Sequence, residues 1–236
     1  MQQNDRERFL EYLRFEKRSS AHTVIAYETD LIQFSDFLVT QYQLNDLTEP
    51  THLMIRSWIV SMMENGIDPR SVNRKITTLR TFYKFMVRSG KMVRSPMLKV
   101  QAPKMKSKLP EYVDEKKMEQ LLSPEEMDKS DFAVFRNFLV VDFFYRTGVR
   151  LSELINLKTT DVNLYNLTIT VLGKRNKVRQ IPITFAFKSV LEEDLKVRKK
   201  FLAENGSDQP YFFLDNKGNQ MSPGFVYYLV KSSISK

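Results

Sequence analysis

Val24, Tyr27, Leu31, Phe34 and Leu38 recur at intervals of three and four residues. That spacing puts them on one side of a helix and predicts an amphipathic α-helix there. Ser19 and Ser20 stand just before it and offer a cap. Val72, Ile76, Leu79, Phe82 or Tyr83, and Met86 repeat the pattern, after Pro69 at a helix start and before Gly90 as a stop. Shorter segments over residues 6–15 and 51–63 complete a four-helix unit. The aromatic residues on these stripes are read as core.

Between residues 95 and 110 the pattern fails. Pro96, Pro103 and Pro110 interrupt any helix, and Lys99, Lys104, Lys106 and Lys108 stud the stretch. It reads as an extended basic connector. Beyond it the texture changes. Residues 115–122 make a short helix, and residues 131–146 a strongly apolar one with Ser130 as its candidate cap. Gly148 suits the left-handed position that ends such a helix. Leu167, Ile169 and Val171 alternate with polar positions, as a half-buried strand does. Residues 173–177 form a turn, and Ile181 and Ile183 resume alternation on a returning strand. Residues 185–200 read as helix, 210–214 as a short apolar piece, and 225–234 as the beginning of a last helix. The fold class expected is an all-α domain followed by an α+β domain.

Charge sharpens this picture. The 236 residues carry a formal net charge of +9. Residues 1–110 hold 18 Lys/Arg against 11 Asp/Glu, whereas 111–236 hold 19 against 17. Residues 69–110 contain 12 basic side chains and no acidic one. A solvated helix face plus a connector is the plainer account, yet ordinary surfaces mix both signs. The run points to a polyanion, and to nucleic acid because no membrane-binding amphipathic helix accompanies it. No stretch has the roughly 18 apolar residues needed to span a membrane. The sequence has no cysteine and two histidines, His22 and His52. That excludes disulfides and thiolate metal sites and leaves too few imidazoles for a metal centre. The setting expected is cytoplasmic, with no metal and no small-molecule cofactor.

Two motifs carry candidate chemistry. Thr147-Gly148-Val149-Arg150-Leu151-Ser152-Glu153-Leu154 places an arginine just past the apolar helix, with a carboxylate three residues on. Gly173-Lys174-Arg175-Asn176-Lys177 places a lysine at the hairpin turn. Alone, Arg150 could be a surface charge with Glu153 as its routine partner, and Lys174 a solubilising turn residue. Gly173-Lys174 is not a P-loop, since the glycine spacing and the following hydroxyl residue are missing. An arginine and a lysine without cysteine, histidine cluster or glycine-rich loop suit stabilisation of a phosphate during transfer.

Taken in order, the two motifs and the helical unit before them resemble the tyrosine recombinases, the phage-integrase and Xer-type family. The resemblance runs from near residue 3 to the C-terminus. It implies a SAM-like core-binding domain at 1–94, a basic linker at 95–110, and part of a catalytic domain of the DNA breaking-rejoining type at 111–236. It implies conservative site-specific recombination, in which a tyrosine attacks the scissile phosphate, forms a 3′-phosphotyrosyl link and frees a 5′-hydroxyl. Arg150 would be the first catalytic arginine, Glu153 its acidic companion and Lys174 the hairpin lysine. Double-stranded DNA would be the partner, with protomers assembling as tetramers on two sites. Arg70, Asn73, Arg74, Lys75, Arg80, Lys84, Lys104, Lys106, Lys108, Arg175 and Lys177 are the expected DNA contacts.

Arg146, Arg175 and Val178 depart from residues frequent in the family. The larger departure is that no histidine follows His52, so the family's His-x-x-Arg box has no counterpart. The late tyrosines Tyr211, Tyr227 and Tyr228 fall before the place of that box and read as packing residues. The chain is therefore expected to be a truncated catalytic unit. The rival expectation is a non-catalytic DNA-binding protein, a relic or decoy that occupies recombination sites.

Overall fold

A computed structural model describes residues 4–104, 113–122, 130–173, 177–206 and 208–234. The chain divides into two compact units, residues 1–109 and 110–236.

The first unit is helical. Helix α1 (Asp5–Glu11) starts at Asn4, whose side chain accepts from the Arg6 amide, and runs into a π-helical turn at Tyr12–Glu16. In α2 (Ala21–Tyr42) Ser20 is the cap, accepting from the Thr23 amide at 3.3 Å. Thr51 caps α3 (His52–Glu64) in the same way. Helix α4 (Pro69–Arg88) has Pro69 in its first turn, where the missing N–H costs nothing, and Asp68 as cap. The predicted stripes meet in one core that includes Phe9, Leu31, Phe34, Trp58, Ile76, Leu79 and Phe82. Phe9 meets Phe82 edge-on at 5.3 Å, and Phe34 packs on Trp58 at 4.9 Å. Each such side chain contributes about 1.5–3 kcal/mol by leaving water.

The stretch expected to be an extended connector begins packed. Pro96–Lys99 forms a single 3-10 turn, and Met97 and Val100 are buried in the helical core. Asn73 Nδ2 donates to the Pro103 carbonyl at 3.1 Å, and Arg80 Nη2 to the Val100 carbonyl at 3.2 Å. Apolar residues two or three apart suffice for this docking, and prolines do not prevent it.

The second unit opens with α5 (Glu115–Leu121) and α6 (Phe132–Thr147). Asp131, not Ser130, caps α6, accepting from the Val134 amide at 3.0 Å. Gly148 ends it in the left-handed region at φ 58°, where a Cβ is strained. Then come α7 (Leu151–Ile155) and a 3-10 turn at Thr159–Asp161. Strands β1 (Val162–Asn163), β2 (Thr168–Leu172) and β3 (Val178–Pro182) form an antiparallel sheet in that order. The expected hairpin is β2–β3, with Ile169 opposite Ile181 and Val171 opposite Arg179. The short strand β1 is an addition that two residues of pattern cannot announce. Thr184 caps α8 (Phe185–Asn205), and α9 (Pro223–Ile234) closes the described chain. The core gathers Leu139, Phe143, Leu154, Ile169, Phe187, Leu191 and Phe213.

Buried charges brace this second core. Arg136 donates to the Leu214 carbonyl and to Asn216 Oδ1, and it lies between the rings of Phe132 and Phe225. Burial lowers its pKa to about 10. Arg198 Nη2 donates to the carbonyls of Gln209 and Tyr211. Together the two guanidiniums pin the segment that leads into α9.

Candidate nucleic-acid interface

Arg150 stands at the N-cap of α7 with extended backbone. Glu153 occupies the third helical position and reaches back: its Oε2 accepts the Arg150 amide at 2.8 Å. This is the carboxylate half of a capping box. Its Oε1 accepts Arg150 Nη1 at 2.7 Å, and Oε2 also accepts Arg179 Nη2 at 2.8 Å from β3. The carboxylate is 1% exposed while the Arg150 side chain is 60% exposed. A buried acid thus fixes one edge of a guanidinium whose remaining donors face solvent. Burial works against ionising Glu153, but the backbone and side-chain bonds from Arg150 and the charges of Arg179 and Arg150 prevail. Its pKa is lowered.

Gly173 ends β2 beside this pair, and its amide donates to the Lys177 carbonyl at 2.8 Å to close the hairpin. A Cβ there would lie 3.2 Å from that carbonyl and 3.4 Å from Glu153 Oε1. The glycine lets the strand pass tightly over the carboxylate. Lys174 and Arg175 lie outside the described residues, as do Lys106 and Lys108. Lys177 is described and exposed. Arg179 was not among the expected site residues. Its signal was available, because it shares the inward face of β3 with Ile181.

In the first unit, Arg70, Arg74, Arg80, Lys84 and Lys104 are exposed as expected. Asn73 is half-buried, and its amide is committed to Pro103. Lys75 is a correction. Its side chain is 7% exposed, and its ammonium donates to Asp30 Oδ1 at 2.9 Å and to Gln33 Oε1. It cannot reach a duplex, since it lies on the same side of α4 as Val72, Ile76 and Leu79. Asp30, wholly buried, also accepts Arg74 Nη1 and Nη2 at 2.5 and 2.8 Å and Thr78 Oγ1 at 2.7 Å. The sequence carried a sign of this: Asp30 falls on the apolar stripe of α2, between Tyr27 and Phe34.

The late tyrosines are a second correction. Tyr211 is half-buried, but Tyr227 and Tyr228 are 58% and 71% exposed on α9, where Val226 and Leu229 do the packing. Arg146 donates to buried Asp142 at 2.6 Å and covers the Phe187 ring. Among the described residues no group of acidic or imidazole side chains is placed to hold a metal, and no helix is long and apolar enough to cross a membrane.

Residues 7–90 match the phage integrase N-terminal SAM-like domain, and residues 111–235 match the phage integrase family. The tyrosine recombinase XerC of Bacillus licheniformis is 32% identical over 229 residues, covering 97% of this chain and 74% of the relative. XerC of Halalkalibacterium halodurans is 35% identical over 231 residues, covering 97% and 75%. Among solved structures, the XerH site-specific recombinase bound to a palindromic difH substrate superposes with a TM-score of 0.70 at 19% identity, covering 98% of this chain and 67% of that one. That likeness concerns the fold. With two family matches in tandem and XerC relatives above 30% identity, the chain belongs to the phage integrase family of site-specific tyrosine recombinases.

Proposed function

We propose that this protein works in site-specific recombination of duplex DNA, in the cytoplasm, with Arg150 as the phosphate-binding arginine of the reaction. What supports the reading is the Arg150–Glu153 pair: a guanidinium held by a buried, ionised carboxylate yet 60% exposed. Attack on a phosphodiester gathers charge on the non-bridging oxygens. A guanidinium offers them parallel donors and stays protonated at neutral pH. A fixed donor of this kind is worth about 3 kcal/mol of barrier. Glu153 is a positioning residue here, neutralised by two arginines and shielded from substrate. Lys174 is the general acid for the departing 5′-hydroxyl, since a lysine pKa falls readily beside other cations. The helical unit (1–94) and the basic stretch (95–110) bind the duplex through phosphates, and the part from 111 onward carries the chemistry. Protomers act as a tetramer on two DNA sites. Bond energy is conserved in a 3′-phosphotyrosyl link, so neither metal nor nucleotide enters.

No histidine follows His52 in these 236 residues, so a His-x-x-Arg box and its second arginine have no candidate in this chain. By itself the chain therefore binds DNA without cleaving it. A nucleophile must sit in line with the phosphorus, and that placement carries many kcal/mol of the barrier. Incubated with a nicked suicide substrate, the purified chain should give no covalent protein–DNA band. Joining a family segment with the His-x-x-Arg box and the late tyrosine should produce the band, and Arg150→Ala should remove it again. An adduct from the chain alone, mapped to exposed Tyr227 or Tyr228, would overturn this. The second reading, a decoy occupying recombination sites, predicts that even the extended protein stays inactive.

A further inference from the structure

The exposed side of α4 carries Arg70, Arg74, Thr77, Lys84 and Arg88 at helical spacing. From Arg70 to Arg88 it runs about 27 Å at 1.5 Å per residue. Arg74 differs from the other cations on it. Its side chain is 46% exposed, yet both terminal nitrogens donate to one wholly buried carboxylate, Asp30, 44 positions earlier on α2. Lys75 and Thr78 fill the rest of that carboxylate. Packing α2 on α4 does not require this, because a buried ion cluster is often replaceable by apolar side chains without loss of stability. The bonds to Asp30 occupy two of the five guanidinium N–H donors and leave three.

We propose that Asp30 is a positioning residue for DNA binding: it clamps one edge of the Arg74 guanidinium so that the opposite donors meet a backbone phosphate in a fixed orientation. The inference rests on the reading of the α4 face as a DNA contact. A free arginine loses side-chain entropy when it grips a phosphate. One already held by a buried acid has lost it in folding. Lys75 places a second positive charge against the same buried carboxylate, which explains why a basic residue within this run is turned inward.

The test reads the sign of one substitution. Asp30→Asn adds one positive charge, so by charge alone it tightens DNA binding. If Asp30 orients Arg74, it weakens binding instead. We expect about a fivefold to tenfold rise in Kd for a mixed-sequence duplex by fluorescence anisotropy, and a slope of log K against log salt shallower by about one. Arg74→Ala should match it, and Asp30→Asn added to Arg74→Ala should change Kd less than about twofold. Lys75→Met should bind like the parent. Asp30→Asn with Lys75→Met removes the stranded ammonium and should reproduce Asp30→Asn where the single variant fails to fold. Unchanged or tighter binding by the Asp30→Asn variants overturns the proposal. If Arg74→Ala is silent while Arg70→Ala and Lys84→Ala weaken binding, the positioning role falls and the α4 face stands. If no α4 variant moves Kd, both fall.

Discussion

Glu153 shows how one side chain organises a site through bonds of different origin. Its bond to the Arg150 amide is local, three residues away on the same helix. Its bond to Arg179 comes from a strand 26 positions later. Because the folded pKa is lowered, this residue stabilises the fold fully above its unfolded value. The contribution is lost as pH falls through the lower folded value. Glu153→Gln removes the charge and leaves two arginines facing a neutral amide. Partial exposure of both arginines screens the loss, and urea unfolding should show about 1–2 kcal/mol less stability near neutral pH. The deficit should shrink in acid, where the parent carboxylate is protonated as well. A deficit that stayed constant down to the most acidic pH would mean that shape, not charge, accounts for it.

At the scale of elements, α4 answers to two environments. One side carries Val72, Ile76, Leu79 and Phe82 into the core, and the other presents cations, of which Arg88 is paired with exposed Glu16 at 2.9 Å. Lys75 and Arg74 are adjacent in sequence, yet one is buried and the other half in solvent. Counting basic residues therefore overstates the surface available to a phosphate backbone. Each phosphate neutralised contributes close to 0.9 to the salt slope. Substituting Arg70, Arg74 and Lys84 by alanine together should lower that slope by about two to three, measured by anisotropy titrations at several salt concentrations. Lys75→Met should leave it unchanged. A triple variant with the parental slope would move the footprint off α4.

On the scale of the whole molecule, the two units rest on different principles. The helical unit closes an aromatic core around one ion cluster. The second unit buries Arg136 of α6 and Asp194 and Arg198 of α8. Burial raises the Asp194 carboxyl to about 7, against the opposing charges of Arg198 and Arg136. Between its unfolded value and about 7 the folded protein holds a proton that the unfolded chain releases. Stability from this residue therefore falls as pH rises through that window. Thermal unfolding followed from pH 5 to 8 should show a decline in the transition that reports the second unit. Asp194→Asn, uncharged throughout, should flatten it. A decline of equal size in the variant would assign it to other groups.

Much of this was legible in the chain because it depends on neighbours a few residues away. Helical periodicity of 3.6 and strand alternation of 2 are local properties, as are the cap at Ser20, the helix start at Pro69, the left-handed stop at Gly148 and the pairing of Arg150 with Glu153. These set α2, α4, α6, the β2–β3 hairpin and the first half of the site, and the motif order pointed to the family. Only the tertiary structure decided which charges are buried. Asp30 with Arg74 and Lys75, and Glu153 with Arg179, are pairs from separate elements. The docking of Met97 and Val100 and the exposure of Tyr227 and Tyr228 belong to the same class. The physical reason is that burying a charge is costly unless a partner arrives from another element. No periodicity along one segment records which partner, from tens of residues away, folding brings to it.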